Sequence, residues 1–226
     1  MKVFISRTID DSSPIQEVIK KYNCTLVQQS LIDIGYIDIL EIPRADWHFF
    51  YSKNGVNSYL RSGLHSVSHG VKYGAIGPGT ALHMRNHGLP CDFTGSGTAN
   101  TSLDSFLEIC EPSEEVLFFR AQRSANSLCK LMKVYRHCTD VIAYNNRPIT
   151  QRFDDIDIGL FTSSLNAKAY LSKNPMPRLS CVAIGQPTYD TLISEGIEVD
   201  KIHLSPATSD RGLATSLEEA IRNSLQ

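Results

Sequence analysis

The sequence predicts an α/β protein built as two similar lobes, each a parallel sheet flanked by helices, and two observations lead to this. Short apolar runs alternate with longer segments of helical character, which is typical of parallel sheets covered by helices. An internal repeat also brings back the same strand, turn and helix twice in the same order. We therefore expect two related lobes joined by a two-stranded hinge.

The internal repeat pairs residues 49–60 with 160–171, and residues 75–88 with 183–196. FFYSKNGVNSYL aligns with LFTSSLNAKAYL, and AIGPGTALHMRNHG aligns with AIGQPTYDTLISEG. The spacing between the two blocks differs by only three residues between the copies, which a loop tolerates. Two matching blocks in the same order favour duplication over chance.

Each copy of the repeat indicates a strand that runs into a helix. The apolar runs 49–51 and 159–161 are typical of strands buried on both faces. Each run stops close to a serine, Ser52 or Ser163, that suits a helix N-cap. In the second blocks a proline closely follows the strand-ending glycine, where the first helical turn needs no N–H.

The rest of the chain predicts the same alternation. Strands are expected at 3–6, 25–28, 116–119, 141–144 and 201–204, and helices near 14–22, 102–109, 124–134 and 212–224. Two extended stretches, 31–43 and 145–153, flank the middle third of the chain, and their pairing would form the hinge. One discontinuous domain is then expected at 1–37 and 148–226, and a second at 38–147. Each would be flavodoxin-like.

Composition and charge narrow the class of protein. The 226 residues are 42% hydrophobic and 20% charged, as in ordinary globular proteins, and no apolar run is long enough to cross a bilayer. The first residues lack the apolar core of a secretory signal, so we expect a cytoplasmic protein. A formal charge of −2 argues against nucleic acid as a partner.

Cysteines and histidines give no support to a metal site. The six cysteines are scattered without a CxxC pair, which favours reduced structural thiols. His65 and His69 stand four residues apart, as helical metal ligands can, but their segment reads as a glycine-bounded loop without a nearby carboxylate. We expect neither a metal nor another cofactor.

A set of short motifs resembles the uroporphyrinogen-III synthase family over nearly the whole chain. In order, these motifs are KVFISR, DWHFFYSKNGV, AIGPGTA, VLFFRAQRS, VIAYNNRP, LFTSSLNA, VAIGQPT and SPATSDRGLATSLEEAI. The resemblance implies two α/β lobes with an interrupted first domain. It also implies a cyclising lyase of haem biosynthesis that closes hydroxymethylbilane into uroporphyrinogen III without a cofactor, inverting ring D through a spiro intermediate.

This substrate carries eight carboxylates, and the strand-to-helix turns offer backbone N–H groups to bind them. In open parallel sheets, ligands bind at the carboxyl ends of the strands, where helix N-termini favour anions. The candidates in the two lobes are Ser52, Lys53, Gly77 and Thr80, and Ser163, Ser164, Gly185 and Thr188. Arg7, Arg120 and Arg123 are candidates for ion pairs with carboxylates. For each serine and threonine, a purely structural capping role is an equal alternative.

Tyr144 is the candidate catalytic residue. It ends the apolar run VIAY, and the resemblance places a tyrosine of the family here, where its phenol can give a proton to the departing hydroxyl. Without the resemblance, a tyrosine at the end of a strand is more often a packing residue whose hydroxyl reaches water. The chain departs from the family in having Leu179 and Ser180 where a basic residue is common, which weakens the transfer of carboxylate contacts.

Two other classes of function compete with this hypothesis. A two-lobed protein that binds a small molecule without catalysis would show the same lobes and hinge. A nucleotide-binding enzyme is less consistent with the sequence, because neither GxGxxG nor GxxxxGK[ST] occurs. The partners expected are a linear tetrapyrrole substrate and a transient hand-over from the preceding enzyme of the pathway. We expect a monomer that binds neither nucleic acid nor membrane.

Overall fold

The computed structural model describes residues 1–66, 70–124, 127–174 and 179–225. In chain order the strands and helices are β1 (Lys2–Ile5), α1 (Pro14–Lys21), β2 (Thr25–Gln28), β3 (Ile32–Tyr36), β4 (Trp47–Phe50), α2 (Lys53–Arg61), β5 (Lys72–Ala75), α3 (Pro78–Asn86), β6 (Phe93–Thr94), α4 (Ala99–Leu107), β7 (Glu115–Ala121), α5 (Ser127–Met132), β8 (His137–Pro148), β9 (Ile158–Phe161), α6 (Ser164–Leu171), β10 (Ser180–Ala183), α7 (Gln186–Ser194), β11 (Ile202–Leu204) and α8 (Asp210–Ser224). Short 3-10 turns lie at Leu64–Ser66 and Val199–Lys201.

The chain divides into two compact units. Unit 1 consists of residues 1–33 and 147–226, and unit 2 consists of residues 34–146. The chain thus leaves unit 1, forms unit 2 and returns.

The sheet of unit 1 has the strand order β11-β10-β9-β1-β2, and all its strands are parallel. Counted along unit 1 alone, this is the order 2-1-3-4-5 of flavodoxin-like folds. One face of the sheet packs against α1 and α8, and the other packs against α6 and α7. Because both faces are covered, the strand residues Ile158–Phe161 are all buried. The predicted fold class is confirmed for this unit.

The sheet of unit 2 has the order β3-β8-β7-β4-β5-β6. The five strands from β8 to β6 run parallel. Aromatic side chains of β4, one of the two central strands, lie on both faces of the sheet. Phe49 faces one apolar cluster and Phe50 faces the other, and both are fully buried. Each such side chain stabilises the fold by about 1.5–3 kcal/mol through the water-exposed surface that it loses. The prediction of a parallel sheet flanked by helices is confirmed here too.

The two sheets correspond strand for strand. The order β8-β7-β4-β5-β6 in unit 2 matches β2-β1-β9-β10-β11 in unit 1, and the repeated sequences fall on β4 with β9 and on β5 with β10. The chain enters the common sheet at a different strand in each unit. The units are therefore related by a circular permutation, which the repeated blocks reveal only in part.

The connecting strands β3 and β8 are neighbours, and their hydrogen bonds indicate an antiparallel pair. The N–H of Ile37 donates to the carbonyl of Ala143 (3.0 Å), and the N–H of Ile149 donates to the carbonyl of Leu31 (2.8 Å). The predicted extended stretch 31–43 forms a strand only as far as Tyr36.

Two element boundaries differ clearly from the sequence predictions. β8 begins at His137, four residues before the predicted start at 141. Exposed polar residues alternate with less exposed ones at the start of the strand, so its first part lacks the apolar run used to predict strands. α4 begins at Ala99, three residues before the predicted start at 102, and Thr98 occupies the N-cap position with extended backbone angles. Among the described residues, no helix is long and apolar enough to span a membrane.

Candidate functional site

The repeated serines cap equivalent helices at the carboxyl edge of the two sheets. Ser52 has φ −163° and ψ 162°, and its side chain accepts the N–H of Gly55 at 3.3 Å. Ser163 has φ −164° and ψ 153° and accepts the N–H of Asn166 at the same distance. Both serines thus have the backbone conformation and hydrogen bond of a helix N-cap.

In unit 2 the structure brings two predicted site residues together. The hydroxyl oxygens of Ser52 and Tyr144 lie 2.7 Å apart, although 92 residues separate them in the chain. Tyr144 reaches this position from β8, and only 6% of its surface is exposed. When the serine donates this hydrogen bond, the phenol proton is left for a ligand.

Burial makes the phenol of Tyr144 a weaker acid than a free tyrosine. Loss of water raises the pKa of Tyr144, the hydrogen bond with Ser52 partly offsets this rise, and the nearby phenol of Tyr36 adds to it. The phenol is therefore protonated throughout the neutral range. It can donate a hydrogen bond or a proton to a leaving group, although it is a weaker acid than an exposed tyrosine.

A second set of hydrogen bonds joins Tyr36 to helices α2 and α3. The side-chain amide of Asn57 donates to the hydroxyl of Tyr36 (3.3 Å), and the oxygen of the same amide lies 2.6 Å from Nε2 of His83. Because that oxygen can only accept, Nε2 of the neutral imidazole carries the hydrogen. Arg61 lies over the ring of Tyr36, 5.0 Å from its centre.

The imidazole of His83 is held in its neutral form. Partial burial lowers the pKa of His83, and the neighbouring His87 and Lys53 lower it further. The rings of His83 and His87 are 4.2 Å apart. The sequence predicted no role for Tyr36, Asn57 or His83. Their only signal is that Asn57 and His83 lie within the repeated blocks, where unit 1 has Lys168 and Thr191.

A glycine-rich turn covers the start of α3 in unit 2. Gly77 is buried at the N-cap position, and a Cβ atom there would lie 2.8 Å from the Cα of Gly97. The N–H of Gly97 donates to the carbonyl of Ile76 (2.7 Å), which fixes the turn against the strand end. Thr80, in the first turn of α3, is also buried, whereas the predicted anion ligand Lys53 is exposed.

In unit 1 an amide, rather than a phenol, joins the capping serine. The side chain of Asn166 donates to Ser163 (3.0 Å) and accepts the buried N–H of Leu31 (2.7 Å). Next to it, the hydroxyl of Ser164 donates to the carbonyl of Pro187 (2.8 Å) and so links the starts of α6 and α7. These contacts are structural, and they leave the first backbone N–H groups of the helices for other partners.

The second predicted turn of unit 1 is more open than its counterpart. Gly185 has almost the same extended conformation as Gly77, with φ −172° against −166°. Its nearest neighbour, however, is a methyl group of Thr208, which would lie 3.5 Å from an added Cβ atom. Thr188 is buried in the first turn of α7.

Two of the three predicted arginines occupy equivalent places in the units. The strand registers align Val3 with Ile158 and Val116 with Trp47, so Arg7 after β1 corresponds to Arg120 in β7. Arg7 pairs with Asp210 at the start of α8. Partial burial opposes ionisation of this carboxyl, but hydrogen bonds from Ser13 and Arg7 lower the pKa of Asp210 overall.

Arg120 is more deeply engaged within the protein. Its Nε lies 3.2 Å from Asp140 of the neighbouring strand, and both side chains are about 15% exposed. Its Nη1 donates to the carbonyls of Ala121 (2.9 Å) and Gln122 (3.2 Å). Arg123 is exposed just beyond the strand. Of the three, Arg120 therefore has the fewest donors to offer a ligand.

Two further kinds of site, a metal-ligand cluster and a cavity, could be formed by the described residues. Within them no cluster of three metal-ligating side chains is present, and His69 lies outside the described residues. A cavity of about 640 Å³ lies in unit 2 near the start of β4, next to Asp46 and His48. No predicted site residue is among the described residues that line it.

Comparisons with known proteins agree on one family. The family model described as uroporphyrinogen-III synthase HemD matches residues 13–210 of this chain. The structure is similar to the uroporphyrinogen-III synthetase of Helicobacter pylori, with a TM-score of 0.72 and 18% identity over 100% of this chain and 99% of that one. It is also similar to a mutant uroporphyrinogen III synthase of Thermus thermophilus, with a TM-score of 0.63 and 12% identity over 99% of both chains. No curated protein sequence matches significantly.

Proposed function

We propose a division of labour between the two units of this chain, on the premise that the chain belongs to the uroporphyrinogen-III synthase family. The family activity is the cyclisation of hydroxymethylbilane to uroporphyrinogen III with inversion of ring D, and the chain is such a cyclising lyase. In this proposal both units bind substrate carboxylates, and unit 2 also supplies the proton for the departing hydroxyl.

The observation that carries the proposal is the hydrogen bond between Ser52 and Tyr144. The reaction begins when a hydroxyl leaves a methylene group next to an electron-rich pyrrole. Such a departure needs a hydrogen-bond donor, but it does not need a strong acid. A buried phenol with a raised pKa, oriented by a fixed serine, suits that role. We therefore assign Tyr144 as the proton donor and Ser52 as its positioning partner.

The second part of the proposal concerns the carboxylates of the substrate. The starts of α2, α3, α6 and α7 all follow parallel strands, so their backbone N–H groups and positive dipole ends lie at the carboxyl edges of the sheets. The side chains proposed to assist are Ser52, Lys53, Thr80, Ser163, Ser164, Thr188, Arg7, Arg120 and Arg123, with Gly77 and Gly185 contributing backbone. Holding a flexible octa-carboxylate in a nearly closed form is an orientation effect, which accounts for several kcal/mol in favourable cases.

We further propose that units 1 and 2 act as two domains, with boundaries near residues 37 and 148. The protein would act as a cytoplasmic monomer that takes its substrate directly from the preceding enzyme. This hand-over would be useful because the free linear tetrapyrrole closes without enzyme to the type I isomer.

The test of the function is an assay that supplies hydroxymethylbilane and separates the two isomers of the product. The proposal expects uroporphyrinogen III in excess over type I, with a ratio that rises with enzyme concentration. A folded sample that yields type I alone would refute it. Binding of the substrate without turnover would instead support the alternative of a two-lobed binding protein.

A further inference from the structure

The cyclisation requires a proton acceptor as well as a proton donor. One molecule of water is lost overall: the hydroxyl departs with a proton from the protein, and ring D must give one proton back. The spiro intermediate opens when the bond between the substituted α-carbon of ring D and the methylene carbon that joins it to ring C breaks. In the last step the free α-carbon of ring D attacks this methylene carbon, and a new C–C bond forms. That carbon then carries both a hydrogen and the new bond, and loss of the proton returns an electron pair to the ring and restores the aromatic pyrrole.

The two proton transfers take place at different points of the substrate: the first at the hydroxyl of the methylene group that ring D attacks, and the second at the free α-carbon of ring D. The first bond forms at the substituted α-carbon, and the proton leaves from the other α-carbon. Two groups set apart along one edge of the sheet suit this arrangement better than one group. Unit 2 provides such a pair: Tyr144 is bonded to Ser52, and separate hydrogen bonds join Tyr36 to Asn57 and Asn57 to His83. Tyr36 lies near enough to Tyr144 to contribute to its raised pKa.

We infer that His83 accepts the proton released by ring D, and that Asn57 holds its imidazole in the tautomer needed for this. The amide oxygen of Asn57 takes the hydrogen on Nε2 at 2.6 Å, so Nδ1 is the basic atom. Nδ1 has no hydrogen-bond partner within residues 1–66, 70–124, 127–174 and 179–225. Asn57 is itself oriented, since its amide N–H donates to Tyr36 (3.3 Å). The inference rests on the cyclisation proposed above.

The surroundings of His83 keep its imidazole neutral until it acts. The charged and titratable groups that face it are Lys53 from α2, His87 from its own helix, and Tyr36 through Asn57. Burial, His87 and Lys53 all lower the pKa of His83. A lowered pKa means that the base form persists to lower pH than for an ordinary histidine, so the acid limb of kcat/KM should lie below pH 6.5.

The first test compares His83→Gln with His137→Gln. Glutamine can still donate to Asn57 but has no basic nitrogen, and His137 is an exposed histidine at the start of β8 in the same unit. We expect kcat to fall about 10²-fold in His83→Gln. Substrate deuterated at the free α-carbon of ring D should then show a larger isotope effect on kcat than it does with the wild type. His137→Gln should match the wild type in both respects.

The second test changes the pH profile without removing the base. Asn57→Asp keeps an acceptor for Nε2 and places a negative charge beside the imidazole, which favours the protonated form. The acid limb of kcat/KM should therefore move to higher pH than in the wild type, an effect that a structural role for Asn57 would not produce. An unmoved limb, or a kcat of His83→Gln within threefold of the wild type, would overturn the inference.

The proposed function and this inference fail in different ways. If the wild-type protein makes no uroporphyrinogen III, the proposed function is refuted. If it makes this isomer while His83→Gln does so equally fast, only the role of His83 is refuted.

Discussion

The capping serines of the two units occupy the same place in the fold but have different partners. In unit 2, Ser52 is bonded to the phenol of Tyr144. In unit 1, Ser163 is bonded to the amide of Asn166, which also fixes the N–H of Leu31. The repeat places Gly55 where unit 1 has Asn166. One cap is thus joined to a group that can give a proton, and the other to a group that cannot.

The difference shows how two similar units can differ through one helix position. Gly55 allows α2 to lie close to β7, because a Cβ atom there would be only 3.0 Å from the carbonyl oxygen of Phe119. Residue 55 has no side chain that could bond Ser52, and the hydroxyl of Tyr144 from β8 bonds it instead. In unit 1 the side chain of Asn166 bonds the serine and joins the helix to the N–H of Leu31. On this account unit 1 only binds, whereas unit 2 binds and transfers protons.

The arginine pair offers the largest test of this divergence. Arg120→Gln would remove the cation that lies 3.2 Å from the carboxylate of Asp140, whose side chain is only 15% exposed, so we expect the free energy of unfolding to fall by about 3 kcal/mol. Arg7→Gln breaks a half-exposed pair with Asp210, and the expected loss is below about 1 kcal/mol. Urea unfolding of both variants measures the difference.

The double variant Arg120→Gln with Asp140→Asn serves as the control. It removes the buried charge together with its partner and should recover most of the lost stability. Equal losses in Arg7→Gln and Arg120→Gln would show that the two equivalent arginines have not diverged.

The strand-end glycines provide the next test. Both have extended backbone that any residue adopts, so only their neighbours distinguish them. Gly77→Ala would press a methyl group onto the backbone of Gly97, and we expect a loss of about 2 kcal/mol. Gly185→Ala meets only a methyl group of Thr208 at ordinary contact distance and should be neutral to within about 0.5 kcal/mol. Thermal unfolding should separate the two variants, and equal melting temperatures would contradict the described turn.

The sequence was sufficient for features that depend on neighbouring residues. The apolar runs before Ser52 and Ser163 predicted buried strands, and the serines predicted the helix starts, because a cap is made within three residues of the chain. The family resemblance pointed to Tyr144, and the structure shows this tyrosine beside Ser52.

Contacts between distant segments could not be predicted in the same way. Asn57 meets His83 because α2 and α3 pack side by side, and no spacing or residue pattern encodes that pairing. The buried pair of Arg120 and Asp140 depends on the register of two adjacent strands. From the sequence, Arg120 near a strand end suited a ligand as well as an internal ion pair. Its partner Asp140 lies 20 residues later, and no local pattern links the two.

The smallest of these effects should come from the capping serines themselves. Ser52→Ala and Ser163→Ala each lose one helix cap, so both should lose about 1 kcal/mol of stability. Their kinetics should differ. Ser52→Ala should lower kcat several-fold because Tyr144 loses its positioning partner, while Ser163→Ala should mainly raise KM. The same kinetic change in both variants would contradict the division between the units.

The most direct test of the central claim is the kcat of Tyr144→Phe, measured with hydroxymethylbilane at neutral pH. Phenylalanine keeps the ring and removes only the hydroxyl that meets Ser52, so the melting temperature should change little. We expect kcat to fall about tenfold, which is less than a positioned general acid usually contributes, because the raised pKa makes this phenol a weak acid. A kcat equal to that of the wild type in a folded variant would show that unit 2 does not supply the proton through Tyr144.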